Sequence, residues 1–491
     1  MRPGGERIFF PSPSPRGVPL NVRRTKIVAT LGPATATPEK VGALVAAGLD
    51  VARINACHGT ERERAELVAA ARAAAEAAHR PLAVLLDLQG PRIRVGVLPP
   101  EVLLIPGDTV AFAPETQAGH GEIPTTYDLS VDVRVDTRIL LADGSMELVV
   151  TAVHKPRVEA RVLVGGELKS RKGINLPGVA VSAPALTEKD RADVQFAAAH
   201  GVEYVALSFV RRAEDVEALR RILPAGVRIV AKIEKDTALG DLDRITDASD
   251  AVMVARGDLG VELPYEQVPL AQKRVIRAAV QRRRPVITAT QMLESMIHAP
   301  RPTRAEVSDV ANAILDGTDA VMLSAETAIG DYPREAVEAM DRIARTVESD
   351  PQFRFAGPPP GSAPERLVDV PARTEHAVAD AAVAAARGLR APVIVTFTKS
   401  GFSARMVAAA RPPVPILGVT DTEKTYRQLA LVWGVVPMLA AGPGRYDAML
   451  DAARERVLES GLARRGDRVV VTAGVPFDVP GTTNLVKVEE V

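Results

Sequence analysis

Eight short runs of β-branched and aliphatic residues recur along this chain, most of them followed by an Ala-, Glu- and Arg-rich stretch of helical character. No other feature restricts the fold so strongly. Neighbouring parallel strands need a long crossover, and a helix supplies it, so this alternation predicts βα units rather than hairpins. The runs are Thr25–Leu31, Val51–Ala56, Leu82–Leu88, Tyr204–Phe209, Arg228–Glu234, Ala251–Ala255, Pro285–Thr290 and Ala320–Ser324. Helices are expected at Glu61–His79, Gln267–Arg282, Arg304–Leu315 and Pro333–Val347. Eight such units close most simply as a (β/α)₈ TIM barrel, giving an α/β fold class. An open doubly wound sheet is the alternative, but Leu31-Gly32-Pro33 after the first run carries no dinucleotide fingerprint.

The spacing breaks once, between the third and fourth runs. There Thr109–Phe112, Ser130–Val135, Met146–Val153 and Glu159–Val164 read as short antiparallel strands with turns at Pro106-Gly107-Asp108, Asp143-Gly144 and Gly165-Gly166. An inserted small β-barrel at the C-terminal face would act as a lid. Phe353–Pro364 is rich in Pro and Gly and reads as a linker, after which Ala377–Arg387, Pro392–Thr398, Gly401–Ala410 and Pro415–Thr420 restart a βαβ pattern. The expected organisation is an N-terminal extension, disordered by default, over 1–22, a barrel over 23–94 and 180–352, and a lid over 95–179. A linker over 353–365 and a C-terminal α/β regulatory domain over 366–491 complete it.

Composition narrows the partners. With 61 Lys plus Arg against 61 Asp plus Glu in 491 residues, the chain has no net basic face for nucleic acid. Apolar residues at 47% provide ample core, which excludes global disorder. The single cysteine, Cys57, rules out an internal disulfide and suits a reducing cytoplasm. Ile8-Phe9-Phe10 is too brief for a secretory apolar segment. The uncharged stretch from Arg427 to Arg445 contains Gly434, Pro437 and Gly442, so it reads as a buried strand and a turn rather than a membrane span.

Barrel active sites lie at strand C-termini, and polar residues gather there. Arg53 and Asn55 end the second run; Asp87 ends the third, with Arg92 and Arg94 after it; Ser208 ends the fourth. Lys232 and Glu234 end the fifth, Arg256, Gly257 and Asp258 follow the sixth, and Thr290 and Gln291 end the seventh. Any one of these alone reads as a surface charge or salt bridge. Six strand ends converging on one face point to a site. Glu234 and Asp258 suit Mg²⁺, which takes few carboxylates and leaves positions for substrate oxygens. Arg53, Arg94 and Lys232 supply cations for a phosphoryl group and a carboxylate, and Gly257-Asp258-Leu259-Gly260 offers backbone N–H groups. Phosphoryl transfer or enolate chemistry follows from that set.

At these residues the sequence resembles the pyruvate kinase family, from Thr25 nearly to the C-terminus. The motifs are Thr25-Lys26-Ile27-Val28, Gly32-Pro33-Ala34, Val51-Ala52-Arg53-Ile54-Asn55, Lys232-Ile233-Glu234 and Ala255-Arg256-Gly257-Asp258-Leu259-Gly260-Val261-Glu262. Ala289-Thr290-Gln291-Met292-Leu293-Glu294-Ser295-Met296 and Pro302-Thr303-Arg304-Ala305-Glu306 join them. The resemblance implies transfer of phosphate from phosphoenolpyruvate to ADP, giving pyruvate and ATP at the last step of glycolysis. It implies Mg²⁺ on Glu234 and Asp258, with Mn²⁺ able to substitute, and a second Mg²⁺ arriving with the nucleotide. Lys232 would sit beside the phosphoryl, Arg53 and Arg94 on phosphate, Gly257 with the Asp258 N–H on the carboxylate, and Thr290 on the route that protonates the enolate. Asn55, His58, Arg94 and Lys172 would face the nucleotide; Ser208 and Arg211 would support the site from behind.

Departures from the family pattern are informative. Its monovalent-cation site, around Asn55 and Asp87, usually has serine and threonine where this chain has Cys57 and Leu88, poor ligands for K⁺. The usual glutamate is replaced in Gly90-Pro91-Arg92-Ile93-Arg94. A fixed guanidinium at Arg92 can supply the charge K⁺ supplies elsewhere, so the chain resembles the K⁺-independent branch, although that branch usually has lysine there. The competing expectation is that Arg92 pairs with Asp87 while K⁺ still binds. Thr398, Lys399, Ser400 and Ser403, with Gly401 and Phe402 between, resemble a sugar-phosphate or AMP effector site. Pro302–Ala311 resembles an inter-subunit helix of a homotetramer. Rival readings are a barrel lyase or aldolase on an Mg²⁺-bound enolate, and a catalytically silent metabolite sensor.

Overall fold

The computed structural model describes residues 22–100, 102–350, 373–440, 446–476 and 481–491. Eight parallel strands close a barrel: β1 (Lys26–Leu31), β2 (Val51–Asn55), β3 (Ala83–Asp87), β4 (Tyr204–Leu207), β5 (Arg228–Ile233), β6 (Ala251–Ala255), β7 (Val286–Ala289) and β8 (Ala320–Leu323). Closure is made by β1 against β8, with Lys26 opposite Ala320. All but the outer edges of these strands are buried on both faces, which is why each reads as an unbroken apolar run. Val28, Val51, Leu85, Val230, Met253 and Ile287 fill the interior, while Ile27, Ala29, Val84 and Ile229 pack outward on the helices.

Helix starts follow from side-chain caps. Thr60 and Glu63 form a reciprocal capping box on Glu61–Ala77, and Thr303 and Glu306 form another on Arg304–Leu315. The Thr303-Arg304-Ala305-Glu306 motif therefore has a structural role here: Glu306 also accepts from the Ser295 N–H and hydroxyl, tying this helix to the loop after β7.

The insertion is a curled six-stranded sheet in the order Ile174–Asn175, Arg138–Leu141, Met146–His154, Arg157–Val164, Thr109–Pro114, Ile123–Thr125. Its core is its own, built on Phe112, Ile139, Leu148 and Val158. The expected strand at Ser130–Val135 does not form. Asp128 accepts from the Ser130 N–H at 3.0 Å and from its hydroxyl at 2.6 Å, which bends Leu129–Val131 into a 3₁₀ turn instead.

The C-terminal sheet runs Val435–Leu439, Ile416–Thr420, Ile394–Phe397, Arg468–Ala473, Leu485–Glu490, parallel except for the last strand. The expected linker, the N-terminal extension up to residue 21 and the turn expected after Leu439 lie outside the described residues. This domain closes the N-terminal mouth of the barrel. The turn Leu429–Leu431 inserts Ala430 and Leu431 into the barrel interior, the Tyr204 hydroxyl donates to the Gln428 carbonyl at 2.7 Å, and Arg411 pairs with Asp319 at 2.9 Å. The opposite mouth is left for chemistry.

Lys26, at the start of β1, donates to the Val435 carbonyl at 2.8 Å across this junction. Burial pulls its ammonium down to about 8; Asp50 opposes, Arg23 and Arg80 reinforce the pull, and Glu348 opposes it weakly. The folded value lies below the ordinary one, so between about 8 and 10.5 the unfolded chain holds a proton that the folded chain sheds. Stability from this group therefore rises with pH in that window. The melting temperature of the parent protein should climb relative to Lys26→Met from pH 8 to pH 10, and a pH-independent difference would contradict the assignment.

Candidate functional site

At the C-terminal mouth one buried carboxylate organises two cations. Asp87, the last residue of β3, accepts from Arg53 at 2.8 Å through Oδ2 and lies 3.2 Å from Lys232 Nζ through Oδ1. Burial would raise this carboxyl, but Lys232 and then Arg53 outweigh it and hold it below the usual carboxylate range. Arg53 is steadied further by the Thr30 hydroxyl at 2.8 Å. Lys232 completes three contacts with Ser208 Oγ and Glu234 Oε1, both at 2.8 Å. Burial disfavours its charge, yet Asp87 and Glu234 raise it above its ordinary value, so it stays an ammonium.

Glu234 is the strained member. Burial pushes its carboxyl above the ordinary range, with Lys232 pulling down and Asp258 adding to the push. Its Oε2 accepts from the Phe209 N–H at 2.6 Å. Its Oε1 is buried and, beyond the ion pair, accepts no hydrogen bond. A buried carboxylate oxygen met only by an ammonium, beside a second acidic group, fits a divalent cation bound by two carboxylates with the remaining positions left to substrate and water. Among the described residues no group of three or more His, Cys, Asp or Glu forms a closed metal cage. Asp258 lies in the first turn of Arg256–Glu262, directly after β6, and β5 and β6 are neighbours with Ile233 opposite Val254.

The Gly257 N–H is already engaged, donating to Thr290 Oγ1 at 2.7 Å, while that hydroxyl donates to the Ala289 carbonyl at 2.6 Å. An anion at this turn must displace the Thr290 side chain. Arg256 does not face the pocket; it pairs with Asp309 at 2.8 Å and donates to the Thr290 carbonyl at 2.6 Å, fixing the loop after β7.

Other expected residues sit farther out. Arg92 pairs with Asp143 of the inserted domain at 2.8 Å, and Asp87 is held by Arg53 and Lys232, which corrects the expected Arg92–Asp87 pair. Arg92 still contributes to the field at Cys57, whose thiol burial and then Asp87 push up. Asn55 Oδ1 accepts from the Cys57 N–H at 3.1 Å, and Leu88 is fully buried. Arg94 donates to the Arg171 carbonyl at 3.0 Å, and His58 and Lys172 are exposed. Arg211 is tied to Asp215 and the Val181 carbonyl.

In the C-terminal domain Thr398 is buried, Lys399 Nζ reaches Asp421 at 3.4 Å, and the Ser400 carbonyl accepts from Arg228 at 2.8 Å. The Ser403 hydroxyl is within 2.8 Å of the Thr483 hydroxyl. Thr30 and the Phe209 N–H were missed in the sequence. Thr30 was open to the same rule, being a polar residue at the end of a strand; the Phe209 donor had no side-chain signal at all.

The inserted domain is tethered to this mouth by Asn175, which donates to Glu262 at 2.9 Å, and Glu262 also pairs with Lys235. A family model described as pyruvate kinase, barrel domain, matches residues 22–337, and one described as pyruvate kinase, alpha/beta domain, matches residues 376–489. A pyruvate kinase of Geobacillus stearothermophilus is 46% identical over 475 residues, covering 95% of this chain and 80% of that protein. Pyruvate kinases of Agrobacterium vitis and Mycobacterium intracellulare are 43% and 44% identical, covering 95% and 96% of this chain and 98% of each relative.

Asp87→Asn leaves two buried cations short of their shared countercharge. It should destabilise the barrel by about 3–5 kcal/mol in denaturant unfolding, and a loss under about 1 kcal/mol would remove Asp87 from this role.

Proposed function

This chain belongs to the pyruvate kinase family, a Mg²⁺-dependent phosphotransferase that makes pyruvate and ATP from phosphoenolpyruvate and ADP, and we propose how its residues divide that work. The enolate-lyase and silent-sensor readings give way to this assignment. The observation that carries the division is the 2.8 Å approach of Lys232 Nζ to Glu234 Oε1 inside the strand-end pocket.

Glu234 and Asp258 would hold the Mg²⁺. When bound, that ion neutralises the substrate carboxylate and the enolate oxygen. Lys232 has three donors, and here they face Ser208, Asp87 and Glu234. With Glu234 engaged by such an ion, Lys232 would keep a donor for the phosphoryl group, where a positioned charge contributes most to rate. Arg53, oriented by Asp87 and Thr30, binds phosphate, and Arg94 binds it as the inserted domain approaches. Thr290 turns from Gly257, which frees that N–H for the substrate carboxylate and the hydroxyl for an ordered water that protonates the enolate. Asn55, His58 and Lys172 lie on the nucleotide side, and Ser208 and Arg211 hold the pocket from behind.

The working domain bounds are 23–94 and 180–352 for the barrel, 95–179 for the lid and 366–491 for the regulatory domain. Cytoplasmic location, homotetramer assembly through the 302–311 segment and a phosphorylated effector at Thr398, Lys399, Ser400 and Ser403 complete the reading. No helix among the described residues is long and apolar enough to cross a membrane.

The enzyme works without K⁺. Cys57 and Leu88 stand where oxygen ligands would be needed, and the Arg92 charge reaches the Cys57 thiol. Turnover in buffers free of K⁺ and Na⁺ should match turnover with K⁺ within about twofold; a strong K⁺ requirement rejects this. Arg92→Glu should lose activity and regain part of it on adding K⁺. Lys232→Met should lower kcat by about 10³-fold or more while phosphoenolpyruvate still binds, measured by coupled assay and by equilibrium titration.

A further inference from the structure

Beneath the barrel, where β7 begins, a narrow cleft partly open to solvent separates it from the C-terminal domain. Arg283, Arg284, Arg405 and Arg411 line it against one acid, Asp319. The carboxylates around it are committed. Asp319 pairs with Arg411 at 2.9 Å, Asp380 with Arg283 at 2.9 Å, and Asp250 with both Arg220 and Arg228. That leaves Arg284 and Arg405, neither of which has an ion-pair partner among the described residues. Arg405 donates to the Ser400 carbonyl at 3.1 Å, and Arg284 to the Asp247 carbonyl at 3.1 Å, while Arg284 Nε is buried with no acceptor.

Asp250 and Asp247 favour the Arg284 charge, and Asp250 that of Arg405, only from beyond ion-pair reach. Two half-buried cations without a carboxylate in contact are costly, and an anion between them offsets that cost. We propose that this cleft binds a phosphate group, as a small tetrahedral oxyanion held between the guanidinium groups of Arg284 and Arg405. Planar guanidinium forks match phosphate oxygens two at a time, and a phosphate brings up to two negative charges, one for each unpaired arginine. Burial, followed by Arg228, pulls Arg405 down to about 9, the direction an uncompensated cation takes. The Thr398–Ser403 loop is a neighbouring place: its lysine faces Asp421, and it meets this cleft through the Ser400 and Gly401 carbonyls, which Arg405 holds with its side chain and its N–H.

The test titrates inorganic phosphate into the full chain, with the catalytic mouth unchanged in every arm so that any uptake there is common to all. Thermal shift and calorimetry are the readouts. Without phosphate, the added pair Arg284→Gln/Arg405→Gln should melt no lower than its parent, since it removes uncompensated charge. With phosphate, the parent should gain several degrees, and the pair should bind about tenfold more weakly or worse. Arg405→Gln alone should keep a reduced response, and Lys399→Gln a full one.

Glucose 6-phosphate serves as the ester probe: a shift that depends on Arg284 and Arg405 assigns the group to an ester as well as to free phosphate. Tungstate soaked into crystals should give an anomalous peak between the two guanidinium groups. An unchanged phosphate response in the pair, or a response lost only in Lys399→Gln, overturns the proposal. So does a pair that is destabilised in the absence of phosphate.

Discussion

The active mouth depends on Asp87. A buried carboxylate shared by Arg53 and Lys232 fixes β2, β3 and β5 relative to one another at the end where chemistry takes place. Counting the charges that meet there, Arg53 and Lys232 stand against Asp87, Glu234 and Asp258. The pocket therefore holds one surplus negative charge, carried by Glu234 and Asp258. A divalent cation held by those two carboxylates would offset that charge.

The two ends of the barrel have opposite duties. The N-terminal mouth is filled by Ala430 and Leu431 and bonded by Tyr204, Lys26 and Asp319, so the strands are anchored where no chemistry takes place. The C-terminal mouth keeps its polar groups and meets the inserted domain through Arg92–Asp143 and Asn175–Glu262. β5 spans both: Arg228 at its start grips the Ser400 carbonyl, and Lys232 lies near its end. Because β5 is paired on both sides, with β4 and with β6, its two ends are held in one rigid element.

Much of this was legible in the chain. Strands buried on both faces declare themselves as apolar runs, and the eight barrel strands fall within two residues of the expected ones. The gathering of Lys232, Glu234 and Asp258 at one mouth was legible because several such runs end in charges on the same face. Ser130–Val135 failed for a local reason: its β-branched residues suggest a strand, but the Asp128 side chain captures the backbone first. The partner of Arg92 escaped for a global one. Asp143 belongs to the inserted domain, and no spacing rule relates a loop after β3 to a hairpin in a separate sheet. The Phe209 N–H escaped because a backbone donor has no letter in the sequence.

Backbone conformation explains why that donor is where it is. Phe209, Thr290 and Gln291 all have left-handed φ, +55°, +71° and +53°, a region that costs non-glycine residues energy and that a β-branched threonine rarely enters. All three follow barrel strands at the active mouth. At Phe209 the turn aims an N–H at Glu234; at Thr290 it brings a hydroxyl to the Gly257 N–H. Strain of this kind persists only where surrounding contacts outweigh it, and the contacts here are Arg256 on the Thr290 carbonyl and Glu234 on Phe209. The same bonds that tolerate the strain are those that orient the carboxylate and the hydroxyl, so relaxing the backbone and disarming the site are one event.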